Sequence, residues 1–419
     1  MIVIGIDIGT TGTKALAVDE SGRVRGRGYM EYEIAAPKPG WAEQNAEDWW
    51  NACLHIVRQA LAQGNIRPEE ISAISLSTQG ASMVTVDGNG NPLAPVITWM
   101  DSRAGKETGE LSAALGAENT YKKTGWMPSA SLDAAKILWL RRNEPELYRR
   151  TARFVSTLEF MNQRLTGRCV VDPTNAAIRQ LYHVREGVWD TDILDFLELD
   201  PEKLPEIAPS GAFLGTLTKP AAESLGLPET VRVYNGAHDQ YCAAIGSGTV
   251  HAGDILLATG TAWVVFGLTG EFMYENPRFA PGAFPHGRGF AALASVPCGG
   301  AALKWWKSIC GEDYPKLDSI AKARMESAKD LLFYPYLAGK ESLTASFRGL
   351  TLAHDKYDLA RAIMEGVVFE SRILLDGFPA QKNGRIIMTG GAAESIVWRG
   401  ISAEVLGREV LVPQEAQAA

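Results

Sequence analysis

An acidic residue followed by a turn rich in glycine and threonine stands near the start of the chain. Residues 2–6 form an apolar run, Asp7 follows it, and the turn spans residues 9–13. Gly9 and Gly12 can adopt positive φ, so backbone N–H groups can converge there on an anion, and threonine hydroxyls add donors. A carboxylate is useful beside an anion only where a cation lies between them, which indicates Mg²⁺ and a polyphosphate. An ordinary surface hairpin explains the same residues, and this alternative stays open.

The same arrangement recurs in the second half of the chain. An apolar run at residues 254–258 leads to Thr259, Gly260 and Thr261, and another apolar run follows at residues 262–266. One such hairpin has little meaning by itself. Two of them, each early in its half, predict duplicated domains that face each other across a cleft, with a boundary near residues 243–248.

The elements around these turns predict an α/β fold. After the first hairpin come a third strand, a helix over Ala46–Gly64 and a strand over residues 71–77, which is the opening order of the ribonuclease-H-like ATPase fold. In the second half we expect a helix over residues 317–327 and a long helix over Lys356–Leu375. A strand over residues 386–388 then leads through a glycine pair to a helix over residues 395–406. A helix N-terminus beside a glycine pair can accept a nucleotide closely.

Composition and charge exclude several classes of protein. The chain has 419 residues, 46% of them hydrophobic and 21% charged, as expected for a globular protein of two or three domains. A net charge of −8 argues against a broad nucleic-acid surface. The five cysteines are scattered without a Cys-x-x-Cys pair, which favours reduced thiols in a cytoplasm over a zinc site or a disulfide framework. The sequence shows no leader peptide and no apolar run long enough for a bilayer, so we expect a cytoplasmic protein without a membrane partner.

An ordered set of motifs resembles the FGGY family of carbohydrate kinases, the group that includes xylulokinase, ribulokinase, gluconokinase and glycerol kinase. Any one motif is weak, but the set runs in family order over almost the whole chain and looks nearest to the pentulose kinases. The motifs are Asp7 to Thr11, Gly40 to Gln44, Trp99-x-Asp101-x-Arg103, Gly236 to Gln240, Thr259 to Thr261, residues 345–366, and Gly390 to Ala392.

The resemblance implies a role for each motif. Two actin-like ATPase domains, residues 1–243 on the sugar and phosphate side and 244–419 on the nucleotide side, would bind a small sugar, ATP and Mg²⁺. Asp239 would be the general base that takes the proton of the attacking sugar hydroxyl, and Asp7 would hold Mg²⁺ through water. The residues implied to contact ATP are Gly9, Thr10, Thr11, Thr259, Gly260, Thr261, Gly390, Gly391 and Ala392. The residues implied to surround the sugar are Gln79, Gly80, Trp99, Asp101, Arg103 and Gln240.

Each of these residues also has a structural explanation. A strand at residues 231–234 and a helix at 241–248 are expected around Asp239, and aspartate is favoured as a helix N-cap. Asp101 and Arg103 fit a surface ion pair of little consequence. His238, next to the implied base, fits a structural role better than a catalytic one.

The chain departs from the family pattern at four places. Gly80 and Ala81 stand where xylulokinases carry Met-His, which predicts extra room on the sugar side. The charge order around residues 339–341 is reversed, and Asp133 replaces a small residue before the segment 136–139. Relatives continue past the position of Ala419 with a closing helix, so we expect the second domain to lack it. These departures bear on the substrate more than on the reaction.

Three hypotheses of function stay open. The first is an ATP-dependent sugar kinase acting on a ketopentose such as xylulose, with ribulose, gluconate, glycerol or another polyol as alternatives. The second is an actin-like or heat-shock-type ATPase, although no residues remain for a peptide-binding module. The third is a shortened, inactive relative that only binds ATP or sugar. The sequence leaves a homodimer open.

Overall fold

The first glycine and threonine turn joins two antiparallel strands of a six-stranded sheet. A computed structural model describes residues 1–287, 289–296, 298–323, 330–337, 344–378 and 384–413. The chain divides into two compact units, the first made of Met1–Cys242 with Gly282–Arg288 and the second of Ala243–Pro281 with Gly289–Ala419.

The first unit contains fourteen strands among its described residues and begins the helix α10. The strands are β1 (Ile2–Ile8), β2 (Gly12–Asp19), β3 (Val24–Glu31), β4 (Glu43–Gln44), β5 (Ile71–Thr78), β6 (Val84–Val86), β7 (Val96–Ile97), β8 (Arg153–Val155), β9 (Val170–Val171), β10 (Tyr182–His183), β11 (Val188–Trp189), β12 (Glu206–Ile207), β13 (Phe213–Thr216) and β14 (Arg232–His238). The helices are α1 (Ala46–Gly64), α2 (Gly105–Leu115), α3 (Ala117–Thr124), α4 (Asp133–Asn143), α5 (Pro145–Arg150), α6 (Thr157–Thr166), α7 (Pro173–Ile178), α8 (Thr191–Leu197), α9 (Lys219–Leu225) and α10 (Asp239–Gly246).

The second unit repeats the plan with fewer additions. Its strands are β15 (Ile255–Thr259), β16 (Trp263–Thr269), β17 (Ala280–Ala283, which ends in the first unit), β18 (Phe290–Val296), β19 (Leu332–Tyr334), β20 (Ser346–Arg348), β21 (Ile386–Thr389) and β22 (Val410–Leu411). Its helices are α11 (Gly299–Cys310), α12 (Tyr314–Ala323), α13 (Lys356–Leu375), α14 (Gly391–Glu394) and α15 (Ile396–Leu406).

The two main sheets share the order of five strands, and the sixth strand of each lies at the opposite edge. The first runs in the order β13-β14-β5-β1-β2-β3 and the second in the order β17-β18-β16-β15-β21-β22. In each, the first strand pairs antiparallel with the second and parallel with the strand that follows the crossover. The strand after that is again parallel. The duplication predicted from the two turns is therefore confirmed, as is the ribonuclease-H-like order of elements.

Alternating burial along the first strand shows which of its faces packs into the core of the first unit. Ile2, Ile4, Ile6 and Ile8 are buried on one face of β1, and α1 covers the sheet through Trp49 and its neighbours. Helix α1 has the predicted bounds, because Asn45 caps its first turn and a second asparagine ends it in the left-handed conformation. Helix α13 also has the predicted bounds and begins at a capping box on Asp355.

Several expectations about individual elements need correction. The strand expected to end at Tyr234 continues to His238, and its helix starts at Asp239. A Cβ at Gly236 would lie 2.0 Å from the Leu76 carbonyl oxygen, so only glycine lets β14 approach β5 this closely. The helix expected at 317–327 begins at Tyr314 and is described to Ala323. The remainder of that helix, the charge order at 339–341 and the expected lack of a closing helix lie outside the described residues.

In the described part of the chain, no helix is both long enough and apolar enough to cross a bilayer.

Candidate active site

Asp7 lies near the end of β1, between two neighbouring strands of the first unit. Its backbone stands opposite Lys14 on β2 and Ser77 on β5, and the Ser77 hydroxyl donates a 2.7 Å hydrogen bond to its Oδ1. Burial raises the pKa of Asp7 to about 6, and the negative charge of Asp239 adds to the rise. The sheet therefore brings two carboxylates from distant parts of the sequence close enough to repel each other.

Asp239 is the first residue of α10, at the carboxyl end of β14. Its Oδ1 is buried and has no hydrogen-bond partner among the described residues, although His238 Nε2 lies 3.5 Å away. A buried oxygen without a partner is costly unless a ligand or ion satisfies it. The position expected for the base thus carries an acceptor with unused capacity.

The pair of carboxylates fits Mg²⁺ better than it fits a protein-bound metal cage. Within the described ranges, no group of three or more histidine, cysteine or acidic side chains is arranged to hold a metal. Mg²⁺ is usually held by one or two carboxylates, with water and substrate phosphates completing its shell. The repulsion that raises the pKa of Asp7 would become attraction toward a divalent cation.

The phosphate turn, residues 9–13, is held by three side chains from other segments. The Gln44 amide donates to the Thr10 carbonyl at 2.7 Å, the Trp99 indole donates to the Thr10 hydroxyl at 2.9 Å, and the Tyr32 hydroxyl donates to the Gly9 carbonyl at 2.6 Å. The expected reason for the glycines is wrong, because neither Gly9 nor Gly12 has positive φ. Gly12 is required by space, since a Cβ there would lie 2.7 Å from a carbonyl oxygen of β3.

Asp101 and Arg103 form a buried pair rather than a surface one. The Arg103 guanidinium donates to both Asp101 oxygens, at 2.9 and 2.7 Å, and to Glu43 at 2.7 Å. It also lies 3.5 Å from the ring centre of Trp41 and 5.2 Å from that of Trp139. Asp101 accepts another hydrogen bond from the backbone N–H of residue 42. These hydrogen bonds and ring contacts hold the loop that carries Trp99 in place, so the pair braces that loop.

The other residues expected around the sugar differ in access. Trp99 is 45% exposed, whereas Gln79 is 2% exposed and Gly80 is also buried. The extra room predicted at Gly80 and Ala81 is absent: a Cβ at Gly80 would lie 2.7 Å from both the His238 ring and the Ile178 side chain. Gln79 and Gln240 each keep a buried amide oxygen without a partner among the described residues.

A buried lysine links the two segments that carry Gln79 and Trp99. Lys136 on α4 is fully buried, and its ammonium donates to the Ala81 carbonyl at 2.6 Å and the Ile97 carbonyl at 3.3 Å. Burial lowers its pKa to about 8, and the nearby carboxylates of Asp133 and Asp101 oppose that effect. Sequence reasoning noted the segment around residue 136 without assigning this role.

A cavity of about 700 Å³ lies within the second unit. It contains most of the predicted nucleotide residues, and its lining is Thr259, Gly260, Thr261, Gly300, Ala301, Leu303, Lys304, Tyr314, Pro315, Asp318, Gly391, Ala392, Glu394, Ser395 and Trp398. Gly260, Thr261 and Gly391 are exposed to it. The cavity is large enough for a nucleotide, and its mixture of apolar walls and few polar groups is typical of ligand sites.

Two of the predicted nucleotide residues hold the cavity together. The Thr259 hydroxyl donates to the Thr389 carbonyl at 2.6 Å and accepts from the Ala392 N–H at 3.2 Å, so it is already engaged within the unit. Gly390 has a φ of 87°, and a Cβ there would lie 2.6 Å from the Thr259 carbonyl oxygen. Only glycine meets both conditions.

Sequence reasoning missed the wall of the cavity that α11 and α12 supply. Lys304, Tyr314 and Asp318 come from these helices, and burial raises the pKa of Asp318 while a hydrogen bond with Ser395 opposes the rise. In the sequence these residues are marked only by lying on two amphipathic helices that follow the Thr259–Thr261 turn. Such a pattern shows a packed face and does not distinguish a wall of a cavity from a core.

Comparison with known proteins identifies the class to which this architecture belongs. Residues 2–246 match the N-terminal domain of the FGGY family of carbohydrate kinases, and residues 256–419 match its C-terminal domain. The chain therefore belongs to the FGGY family, and it is a sugar kinase that uses ATP.

Individual relatives share about a quarter of their residues with this chain. A xylulose kinase of Staphylococcus xylosus is 28% identical over 99% of this chain and 88% of its own length. A gluconokinase of Bacillus subtilis (strain 168) is also 28% identical, over 99% of this chain and 85% of its own length. The crystal structure of xylulose kinase from Rhodospirillum rubrum matches with a TM-score of 0.91 and 29% identity, covering 98% of this chain and 86% of that one.

Proposed function

We propose that this enzyme transfers the γ-phosphate of Mg-ATP to a hydroxyl of a ketopentose, with D-xylulose as the first candidate. The observation that carries the proposal is the carboxylate of Asp239, whose buried Oδ1 has no hydrogen-bond partner among the described residues, beside a second carboxylate, Asp7. Similarity to xylulose kinases supports the choice of sugar.

The proposed reaction assigns one task to each carboxylate. Asp239 accepts the proton of the sugar hydroxyl as its oxygen attacks the γ-phosphorus, and ADP leaves with the electrons of the broken bond. Phosphoryl transfer needs positioning more than strong basicity, which suits an aspartate. Asp7 would hold Mg²⁺ through water, and the cation would neutralise charge on the phosphates.

The remaining predicted residues fall into two groups in this proposal. Thr10 and Thr11 in the phosphate turn, together with Gly260, Thr261 and Gly391 in the second unit, present donors to the nucleotide. Trp99 and Gln240 contact the sugar, while Asp101 and Arg103 brace the loop that carries Trp99. We assign residues 1–243 to the sugar and phosphate domain and residues 244–419 to the nucleotide domain. The five free cysteines support a reducing compartment such as the cytoplasm.

Gluconate is the second candidate, because a gluconokinase matches with the same identity as a xylulose kinase. An assay of ADP release with D-xylulose, D-ribulose, D-gluconate and glycerol separates the candidates. We expect D-xylulose to give the highest kcat/KM. A clear preference for gluconate would replace the sugar but keep the reaction, whereas ATP hydrolysis unaffected by every sugar would overturn the kinase proposal in favour of a simple ATPase.

A further inference from the structure

The imidazole of His238 occupies the space beside Gly80. A Cβ placed on Gly80 would lie 2.7 Å from His238 Cδ2 and 3.0 Å from its Nε2, which is closer than side chains pack. Any residue other than glycine at position 80 would therefore push the ring away. The departure at Gly80 leaves no space for substrate, because a side chain from another strand fills it.

His238 is held through both its backbone and its ring. The His238 backbone N–H donates to the Thr174 hydroxyl at 2.8 Å, and that hydroxyl donates in turn to Asp172 at 2.6 Å. The edge of the ring meets Tyr241 in a T-shaped contact with 6.1 Å between ring centres. The His238 side chain is 9% exposed, so its surroundings define its orientation.

The same ring is the polar group found next to the unused oxygen of Asp239. His238 Nε2 lies 3.5 Å from Asp239 Oδ1, at the outer limit of a hydrogen bond, and this oxygen has no hydrogen-bond partner in the described part of the chain. A shift of a few tenths of an ångström would complete the bond. Such bonds are often long without substrate and shorten when it is bound.

We infer that His238 is a positioning residue for the base. Its Nε2–H donates to Asp239 Oδ1 and fixes the carboxylate, so that the other oxygen faces the sugar hydroxyl. Gly80 serves this arrangement by admitting the ring. The inference rests on the proposed role of Asp239. It gives a positioning role to His238, for which the sequence favoured a structural role, and a supporting role to Gly80, which was expected beside the sugar.

Two variants test the inference by steady-state kinetics with Mg-ATP and D-xylulose. His238→Ala is expected to lower kcat by about 10- to 100-fold with little change in the KM for ATP, because misplacement of a catalytic group by about 1 Å can have an effect of that size. His238→Gln, which keeps a donor of similar reach, should recover most of the loss. A role in packing alone would make both variants less stable without restoring kcat in the glutamine variant.

A double-mutant cycle tests the link to Gly80. Gly80→Ala should lower kcat in the native background, because the new methyl group displaces the ring. In the His238→Ala background the same change should lower kcat much less, because only the contact of the new methyl group with Ile178 Cγ2, at 2.7 Å, remains. Gly88→Ala is the matched control, since a Cβ there meets nothing within 4 Å and its activity should stay native. Multiplicative losses from Gly80→Ala and His238→Ala would overturn the inference.

Failure of the inference can be told apart from failure of the proposed function. If Asp239→Asn is inactive but His238→Ala keeps native kcat, Asp239 is the base and His238 does not position it. If Asp239→Asn keeps native turnover, the proposed role of Asp239 fails first. Thermal unfolding of each variant shows whether a loss of kcat comes from misfolding. ADP titration shows whether the second unit, which contains the predicted nucleotide cavity, is unaffected.

Discussion

At the scale of single residues, Asp239 carries the sharpest prediction. Asp239→Asn keeps the shape of the side chain but cannot accept a proton, so we expect kcat to fall by about 10²- to 10⁴-fold. ADP affinity should stay within about twofold, since the cavity of the second unit is unchanged. Coupled assays and calorimetric titration measure the two quantities, and turnover near the native value would contradict the assignment.

Asp7 is predicted to lower the stability of the folded protein at neutral pH, because its carboxylate is charged in a buried position. Its folded pKa of about 6 lies above the ordinary value of 3.8, so its contribution to the free energy of unfolding is most favourable below pH 4 and is lost as pH rises to 6. Asp7→Asn should therefore raise the free energy of unfolding at pH 7 by about 1–3 kcal/mol in the absence of Mg²⁺.

The same Asp7→Asn variant should weaken the dependence of ADP binding on Mg²⁺. Denaturant unfolding at pH 4.5 and 7 tests the stability, and ADP titrations with Mg²⁺ or EDTA test the metal. We expect metal-free ADP binding to change little. An equal loss of ADP affinity under both conditions would show that Asp7 has a structural role instead.

At the scale of elements, Lys136 joins a helix to two loops of the predicted sugar site. Lys136→Met keeps most of the volume but leaves the Ala81 carbonyl without its donor, which typically costs about 1–3 kcal/mol, and leaves the Ile97 carbonyl with the Met83 N–H alone. Since these carbonyls flank the segments of Gln79 and Trp99, we also expect the KM for the sugar to rise. Unfolding curves and sugar kinetics test this, and an unchanged sugar KM would limit the role of Lys136 to stability.

The pH dependence of that variant has a definite sign. Burial holds the pKa of Lys136 at about 8, below 10.5 in the unfolded chain, so the native protein gains stability from this group as pH rises between these values. The Lys136→Met variant lacks this pH-dependent contribution to the free energy of unfolding. The difference in free energy of unfolding between native protein and variant should therefore widen from pH 7.5 to pH 9.5, and a constant difference would show that the ammonium stays protonated.

The elements also show which features a sequence can reveal. Helices α1 and α13 were predictable to the residue, because in each the periodic apolar positions follow a polar N-cap. That residue is Asn45 for α1 and Asp355 for α13. The join of β14 and α10 was not, because residues 235–238 resemble a turn in composition. What makes them a strand is the approach of Gly236 to a carbonyl of β5, a contact that no local pattern encodes.

The candidate site divides in the same way. Asp7, Asp239 and the two turns were recognisable from motifs, since their residue types are tied to chemistry. The brace formed by Arg103 between Trp41 and Trp139, the Lys136 link and the filled space at Gly80 depend on which segments meet. Spacing along the chain gives no information on such meetings, so only the structure reveals them.

At the scale of the whole molecule, the residues predicted to bind the sugar lie in the first unit, and the cavity lined by predicted nucleotide residues lies in the second. The phosphate turn, also predicted to contact ATP, belongs to the first unit. We expect ADP to slow amide hydrogen exchange chiefly at the start of α11 and in α14, and D-xylulose to slow it around residues 96–103. The β10–β11 hairpin should be unaffected and serves as an internal reference. Protection by both ligands confined to one unit would contradict the division.

The hydrogen bond from the Trp99 indole to the Thr10 hydroxyl has an optical consequence. Trp99 is half exposed, and its ring N–H is tied to the turn where the polyphosphate is expected. A phosphate that claims the Thr10 hydroxyl, or a sugar that covers the ring, would change the solvent around this indole and therefore its emission. The chain has eleven tryptophans, so the signal is best isolated as the difference between native protein and Trp99→Phe. We therefore predict that Trp99 emission reports the arrival of either substrate without a label.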